Sequence, residues 1–363
     1  MTEGESLSNW LRLTLTPGIG GETQRKLLAA FGLPEAVFSA GRSAVRGVIG
    51  DKAASLLLDT NNETVVSAAC AWSNEADQHI ITLADPEYPQ ALLEIPDPPT
   101  VLYVRGRIEP LNRPALAIVG SRNPTPQGIQ NAERFAATFA EAGLVIASGL
   151  ALGIDAAAHR GALSVTGDTI AFIGTGIDRI YPARNRELAL EIGTRGTIVS
   201  EFPIGTPVTA ANFPRRNRLI SGIARGVLVV EAAIVSGSLI TARLAGEQGR
   251  EVFAIPGSIH SPQSRGCHKL IKQGAKLVET AQDVLEELRW STPSTVNAAK
   301  ESGDDVAADE LLSLMGYDIC GLDELAGSSG LTAESLCVKL LHLELDGRVA
   351  SLPGGRYQRL RQA

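Results

Sequence analysis

Four arginines fall close together in the segment FPRRNRLISGIARGVLVVEA, residues 213–232. They are Arg215, Arg216, Arg218 and Arg225. The apolar run at residues 226–230 is typical of a buried strand in a parallel sheet. We expect the arginines to lie on the loop and short helix that precede this strand. Because a guanidinium group can donate two hydrogen bonds to one phosphate, the cluster predicts a site for a row of phosphates. The alternative is a solvated basic surface that forms ion pairs with acidic residues.

Glycine-rich turns follow three other predicted strands, at residues 115–120, 144–147 and 169–174. The carboxyl ends of parallel strands meet at one edge of a sheet, where helix N-termini and free backbone amides attract anions. We therefore expect an extended anion at this edge. The candidate residues in these turns are Gly120, Ser121, Arg122, Ser148, Gly149, Gly153, Gly174 and Gly176.

Two further segments are expected at the same edge. The loop YPARN offers a cationic side chain, and the segment SGS precedes a predicted helix and offers a capped helix N-terminus. With the arginine cluster, these segments complete the predicted anion site. Their candidate residues are Arg184, Asn185, Arg215, Arg216, Asn217, Arg218, Ser236, Gly237 and Ser238.

Composition limits the classes of partner. The chain has 363 residues with 33 basic and 40 acidic side chains, so its formal net charge is −7. This balance argues against a general polyanion binder, and a nucleic-acid site must be local. The hydrophobic content of 44% predicts a globular protein with two or three domains.

The sequence lacks the motifs that are typical of several chemistries. No G-x-G-x-x-G opens the first helix of the predicted sheet, and no phosphate-binding G-x-x-x-x-G-K-[ST] occurs. The four cysteines show no C-x-x-C spacing, so we expect no metal site and no disulfide framework. His159 and Asp155 are interpreted as structural. Glu231 could orient an arginine or act as a catalytic carboxylate. We expect no cofactor and no enzymatic activity.

The N-terminus, MTEGESLSNWLRL, lacks the pattern of a signal peptide, and no apolar stretch reaches the ~20 residues of a membrane span. We therefore expect a cytoplasmic protein that does not contact the membrane.

The sequence predicts three units and a linker. Residues 1–84 are predicted to be helical, with P-G-I-G at residues 17–20 in a turn of helix-hairpin-helix type. Residues 85–290 alternate strands and helices, which indicates an α/β, doubly wound parallel sheet of Rossmann-like type. Residues 291–305 are a polar linker. Residues 306–363 show three helices and a β-hairpin, the pattern of a winged helix.

The two flanking units leave alternatives open. The N-terminal hairpins could contact DNA phosphates, or their glycines could merely form turns. The winged helix carries five basic and eight acidic residues, and a helix that reads duplex DNA usually carries more positive charge. We interpret it as protein-binding or as contacting DNA weakly through its wing.

Eight ordered motifs resemble those of the DNA-processing protein A family (DprA, also called Smf). They are GSRNPTPQG, SGLALGIDAAAHRGAL, IYPARN, FPRRNRLISG, VVEA, SGSLITA, REVFAIPG and KLIKQGAKLV, within residues 88–283. The flanking helical and winged-helix units also fit this family.

The resemblance implies a non-catalytic protein of natural transformation. Such a protein binds and shields incoming single-stranded DNA, loads the RecA recombinase and forms a homodimer through its Rossmann-like domain. The family's arginines correspond here to Arg122, Arg216 and Arg218. Where family members often carry a lysine, this chain has Ala183, and Arg184 follows it.

Two other functions stay open at this stage. The first is a nucleotide or nucleoside hydrolase on the same type of sheet, although the P-G-G-x-G-T turn of such enzymes is missing from the sheet region. The second is a duplex-binding regulator that acts through the winged helix, which the acidic predicted recognition helix disfavours.

Overall fold

A computed structural model describes residues 3–165, 167–290 and 309–360 of the chain. The predicted linker at residues 291–305 lies outside these described residues.

The N-terminal unit is a bundle of short helices. Amphipathic segments pack around a small apolar core that contains Leu13, Ile19, Leu27 and Leu57. A turn at Thr16–Gly20 joins the first two helices, and Gly18 there has a φ of +83°, which favours glycine. The helices are α1 (Glu3–Thr14), α2 (Gly21–Phe31), α3 (Pro34–Ser39), α4 (Gly41–Ile49), α5 (Asp51–Asp59) and α6 (Glu63–Ser73).

A nine-stranded mixed sheet follows, in the order β1-β2-β6-β5-β4-β3-β7-β8-β9. The strands from β6 to β9 in this order pair in parallel, whereas β1 and β2 pair antiparallel at one edge. The strands are β1 (Gln78–Thr82), β2 (Val101–Gly106), β3 (Ala115–Val119), β4 (Val145–Ser148), β5 (Thr169–Phe172), β6 (Thr197–Ser200), β7 (Ala224–Val229), β8 (Glu251–Ala254) and β9 (Lys276–Leu277).

Strand β1 corrects one expectation, because residues 1–84 were predicted to be wholly helical. Its five residues, QHIIT, pair with β2, so the end of this region belongs to the sheet. Strands β3, β4, β5 and β7 agree with the predicted strands to within two residues at each end, and the parallel strand β9 was not predicted.

Helices cover both faces of the sheet. Alternate residues of β3 contribute to two separate apolar clusters, since Leu116 and Ile118 lie in one and Ala117 and Val119 in the other. The helices are α7 (Gln90–Leu93), α8 (Pro126–Glu141), α9 (Ile154–Ser164), α10 (Arg186–Arg195), α11 (Asn212–Ile223), α12 (Ser238–Glu247), α13 (Arg265–Lys272) and α14 (Ala281–Glu287).

The C-terminal unit has the winged-helix arrangement of three helices and a three-stranded sheet in the order β10-β12-β11. Its core includes Leu312, Leu325, Leu336 and Leu340. Strand β10 was not predicted from the sequence. The elements are α15 (Asp309–Met315), β10 (Ile319–Gly321), α16 (Leu322–Ser329), α17 (Ala333–Leu345), β11 (Val349–Leu352) and β12 (Arg356–Arg359).

Strand order also locates the switch point of the sheet. From β3 the chain builds outward through β4 and β5 to β6, and it then returns to the other side of β3 to form β7. In open sheets of this type, the crevice for a ligand lies at such a reversal, here between β3 and β7.

Candidate nucleic-acid interface

The turns after β3, β4 and β5 form one continuous rim at the carboxyl end of the sheet. Asn185 Nδ2 donates hydrogen bonds to Leu150 O (2.9 Å) and Ala151 O (3.1 Å), which fixes the YPARN loop to the turn after β4. Asn212 Nδ2 donates to Gly174 O (3.1 Å), which fixes the start of α11 to the turn after β5. The structure therefore brings together loops that are far apart in sequence.

An exposed cation and two aromatic rings lie side by side on this rim. The guanidinium carbon of Arg122 is 5.7 Å from the centre of the Phe213 ring, and that ring centre is 5.8 Å from the ring centre of Tyr181. Both Arg122 and Tyr181 are exposed to solvent. A Cβ atom at Gly174 would lie 3.0 Å from the Phe213 ring, so glycine allows the close packing of this ring.

Sequence reasoning gave no role to either aromatic residue. Phe213 begins the FPRRNR motif, and Tyr181 precedes the proline of the YPARN motif. Both motifs combine one aromatic residue with a nearby arginine. This shared composition was the signal in the sequence that could have identified the two rings. We refer to Arg122, Tyr181 and Phe213 as the rim platform.

Arg216 lies beneath the rim rather than on it. Its side chain extends from α11 into the protein, where it donates hydrogen bonds to Gly149 O and Phe172 O. The residue is only 4% exposed, and burial lowers the pKa of its guanidinium to about 10. A side chain at Gly149 would collide with this guanidinium, so the glycine turn makes room for Arg216.

A buried carboxyl group accompanies Arg216. Asp155 Oδ2 accepts hydrogen bonds from the amides of Gly149 (3.2 Å) and Ala151 (3.3 Å). Burial raises the pKa of Asp155, and the positive charge of Arg216 opposes that increase. Asp155 thus fixes the turn after β4. This agrees with the prediction that Asp155 is a structural residue.

Arg218 is also directed inward. Its guanidinium forms ion pairs with Glu201 (2.6 Å) and Asp97 (2.7 Å), and its side chain is 10% exposed. Arg215 contacts the same Glu201 at 3.2 Å, but its side chain is 60% exposed. Arg225 lies at the opposite, amino-terminal end of β7, with its guanidinium carbon 5.4 Å from the centre of the Trp290 ring.

These positions revise the expected geometry of the arginine cluster. The arginines at positions 215, 216 and 218 lie on the 12-residue helix α11, not on a loop and short helix. Successive helical residues point in different directions, so the three side chains separate. Of these three arginines, Arg215 has a largely exposed side chain, and the neighbouring Asn217 is half-buried.

The other candidate residues take supporting positions at the rim. Ser148 is fully buried and donates from Oγ to Ile118 O (2.6 Å), so it joins two strands. Ser121 Oγ accepts from the amide of Asn123 (3.1 Å), next to Gly120, and Gly153 is the residue before α9. Gly176 donates from its amide to Thr206 O (3.0 Å). Arg184 is exposed in a short 3₁₀ turn.

The helix start at Ser236, Gly237 and Ser238 lies beside α11. The two serine hydroxyl groups are 2.7 Å apart, and Ser238 begins α12. Asn217 Nδ2 donates to Gly237 O at 3.5 Å. This hydrogen bond places the segment beside Asn217 on α11.

Glu231 fills the crevice at the switch point. Its carboxyl group accepts hydrogen bonds from Thr125 N (2.9 Å) and Thr125 Oγ1 (2.6 Å), and it lies against Gly128 in the first turn of α8. Thr125 is the N-cap of α8, and its Oγ1 accepts from the amide of Gly128 (3.0 Å). Glu231 therefore holds the N-cap residue of α8, whereas the sequence suggested that it orients an arginine or acts as a catalytic carboxylate.

His159 is fully buried, and its Nδ1 lies 2.7 Å from Thr169 Oγ1. Burial lowers the pKa of His159 to about 3, so the ring is neutral at physiological pH. This environment is that of a structural histidine, as the sequence predicted.

Comparison with known proteins places this geometry in a family. Residues 79–289 match the family described as DNA recombination-mediator protein A, and residues 295–355 match the DprA winged helix domain. This chain belongs to the DprA/Smf family. The expected resemblance and the expected fold class are thereby confirmed.

Individual relatives agree with this assignment. Protein Smf of Escherichia coli (strain K12) is 44% identical over 309 residues, covering 83% of this chain and 82% of that protein. The X-ray structure of DprA from Streptococcus pneumoniae superposes with a TM-score of 0.68 at 38% identity, covering 77% of this chain and 97% of that chain.

A second solved relative is DNA processing protein A from Helicobacter pylori, whose structure is described for its single-stranded DNA binding mode. It superposes with a TM-score of 0.53 at 33% identity, covering 58% of this chain and 95% of that chain. Both solved relatives therefore share the fold of this chain over more than half of its length.

The described residues also bear on metal-dependent and membrane functions. Among residues 3–165, 167–290 and 309–360, no group of three His, Cys, Asp or Glu side chains is arranged to hold a metal ion. Within the same part of the chain, every helix is too short or too polar to span a bilayer.

Proposed function

We propose that this DprA-family protein binds single-stranded DNA along the rim without reading its sequence. The rim platform carries the proposal, because an exposed arginine beside the exposed Tyr181 ring and the half-buried Phe213 ring is the chemistry that holds single strands. The cation attracts the phosphates, and the rings stack with unpaired bases of any identity. The relative from H. pylori, described for its single-stranded DNA binding mode, supports the same ligand.

In this proposal some residues contact the DNA, and others hold those residues in place. Arg122, Arg184 and Arg215 are the exposed cations that contact phosphates, and Phe213 and Tyr181 stack with bases. Arg216 and Arg218 position the rim from below, because their guanidinium groups are occupied by carbonyl and carboxylate partners. The glycine and serine turns shape the backbone between these side chains.

We extend the proposal to a cellular role that family membership supports. The protein acts as a homodimeric, non-catalytic mediator that shields incoming single strands in natural transformation and loads RecA onto them. The family description as a recombination mediator supports this role. The four-part division is likewise proposed, with its first boundary moved from residue 84 to before β1 because that strand pairs in the sheet, and with DNA held by the sheet domain.

Titration of labelled oligo-dT and a matched duplex tests the binding proposal. The protein should prefer the single strand, and the logarithm of the association constant should fall with the logarithm of salt concentration by about 0.7 per phosphate contact. Binding that is independent of salt, or that selects one duplex sequence, would refute it. Nucleotide hydrolysis measured in parallel tests the expected lack of catalysis.

Arg122→Ala is expected to weaken single-strand binding for all sequences. One lost phosphate contact should flatten the salt slope by about 0.7. Arg122→Lys should recover only part of the affinity, because lysine restores the charge without the two parallel donors. Fluorescence anisotropy over several salt concentrations measures both effects. Wild-type binding by Arg122→Ala, together with loss of binding by Arg356→Ala, would place the DNA site on the wing instead.

Deletion of residues 306–363 should change single-strand affinity by less than about tenfold, or roughly 1.4 kcal/mol. The reason is that the rim platform lies wholly within the sheet domain. The deleted and full-length proteins are compared by anisotropy at one salt concentration. A larger loss would identify the winged helix as a principal DNA contact.

A further inference from the structure

Helix α17 of the winged helix is apolar on two opposite faces. Its inner face packs into the core of this unit through Leu336, Leu340 and Leu343. Its outer face exposes Val338 (54%), Leu341 (54%) and Leu345 (78%). A helix that is apolar all round is normally buried on all sides, so α17 has an open position for a further packing partner.

The outer residues of α17 have the spacing of a coiled-coil seam. Val338, Leu341 and Leu345 recur at intervals of three and four residues, as the a and d positions of a heptad do. Glu334 lies four residues before Val338 and extends the same stripe toward the start of the helix. The stripe from Glu334 to Leu345 covers about three helical turns, or about 16 Å. We refer to these four residues as the α17 stripe.

The α17 stripe faces away from the sheet domain. The winged helix meets that domain through β12, where Gln127 N donates to Gln358 Oε1 (3.3 Å). A cleft separates the two units elsewhere, and the winged-helix residues that line it are Tyr317, Asp318, Ile319, Glu324, Arg356 and Gln358. None of these lining residues belongs to α17. The docked position of the winged helix therefore leaves the stripe open to a partner.

The side chains of the stripe do not suit duplex DNA. Base edges in the major groove are read by side chains that donate or accept hydrogen bonds. Val338, Leu341 and Leu345 have no such groups, and the carboxylate of Glu334 repels phosphates. An apolar row at this spacing is instead the kind of surface that packs against an amphipathic helix.

The charges around the stripe define the chemistry of that helix. Acidic residues lie at both of its ends, since Glu334 is in the first turn of α17 and Asp346 follows the last, and both are exposed. Glu344 borders the stripe on one side. Lys339 lies about 100° round the helix from Val338, so it does not neutralise the stripe. The winged helix as a whole carries eight acidic and five basic residues. A basic partner is therefore complementary in charge.

We propose that the outer face of α17 binds an amphipathic helix of another protein, whose apolar stripe is bordered by lysine or arginine. The apolar side chains of that helix pack between Val338, Leu341 and Leu345. Its cations pair with the exposed carboxylates of Glu334 and Asp346. The proposal is independent of DNA binding at the rim, because the rim platform lies in the sheet domain.

Binding of two labelled peptides to the full-length protein tests the proposal. Each peptide has about 21 residues, or three heptads, with leucine at the a and d positions. One carries lysine at the flanking e and g positions, and the other carries glutamate. The lysine peptide should bind about fivefold or more tightly than the glutamate peptide, because the acidic ends of the stripe attract one and repel the other. Fluorescence anisotropy measures both affinities.

Leu341→Gln should weaken binding of the lysine peptide about tenfold, because it removes the central apolar contact of the stripe. Since Leu341 is exposed, its replacement should leave the unfolding midpoint close to that of the wild type. Leu314→Gln is the matched control and should bind the peptide as the wild type does. Leu314 is 49% exposed in the same unit, on α15, which packs against α16 and β12.

Three outcomes would overturn the proposal. The first is equal binding of the two peptides, or wild-type binding of the lysine peptide by Leu341→Gln. The second is a loss of duplex DNA affinity in Leu341→Gln, because the stripe would then contact nucleic acid. The third is a change of oligomeric state in Leu341→Gln, measured by sedimentation equilibrium, because a second copy of this chain would then cover α17.

Discussion

Arg216→Met is expected to lower the free energy of unfolding by about 3–5 kcal/mol, the cost of leaving a buried charge without its compensating partner. The change deprives Gly149 O and Phe172 O of their donor and leaves Asp155 without its nearby positive charge. Urea denaturation followed by circular dichroism measures the loss. Methionine keeps much of the side-chain volume, so a cavity contributes little to the result.

Arg215→Ala is the matched control on the preceding position of α11. Its side chain is 60% exposed, so the free energy of unfolding should change by less than about 0.5–1 kcal/mol. DNA affinity should instead fall for this variant. If the two variants lose equal stability, the buried contacts of Arg216 do not hold the rim together.

Phe213→Leu is expected to weaken binding of single-stranded DNA by about 1–3 kcal/mol, the range for loss of one base–aromatic stacking contact. This corresponds to roughly 5- to 150-fold in affinity. Leucine retains an apolar contact over Gly174 but offers no ring for a base or for Arg122. Fluorescence anisotropy with oligo-dT at fixed salt measures the change.

The salt slope distinguishes stacking from phosphate contact. Phe213→Leu should leave the slope near its wild-type value, because no phosphate contact is removed. Phe135→Leu, on α8 and outside the rim platform, should bind DNA as the wild type does. Unchanged affinity in Phe213→Leu would remove the aromatic ring from the proposed site.

The α/β core was predictable because its signals are local. Short apolar runs at β3, β4 and β5 are each followed by glycine and then by an amphipathic helix, and this repetition specifies parallel strands with intervening helices. Helix α9 (Ile154–Ser164) begins directly after Gly153 of the turn that follows β4. The rim also follows from this pattern, since the carboxyl ends of parallel strands share an edge.

The direction of the α11 arginines was not predictable, because their partners are distant in sequence. Arg216 contacts carbonyl groups 67 and 44 positions away, and Arg218 pairs with a carboxylate 17 positions away. A sequence shows the charge of these residues but not the buried acceptors that turn them inward. The role of Phe213 was missed for a different reason. A single aromatic residue forms no periodic pattern in the sequence.

Strands β1, β9 and β10 were not predicted from the sequence, because β1 lacks a continuous apolar run and β9 and β10 have only two and three residues. In QHIIT the burial increases only toward the end of the strand, and β10 has three residues. Their pairing partners, rather than their own composition, place them in sheets.

The capping role of Glu231 has a consequence for dissolved nucleotides. The N-terminus of α8 is the position at which sheets of this type bind phosphate, and here a carboxyl group of the same chain is bonded to Thr125 there. A tethered group competes at an effective concentration on the order of millimolar or higher. A phosphate group that entered this crevice would meet the Glu231 carboxyl group at the start of α8, so we expect the switch point to bind free dinucleotides weakly.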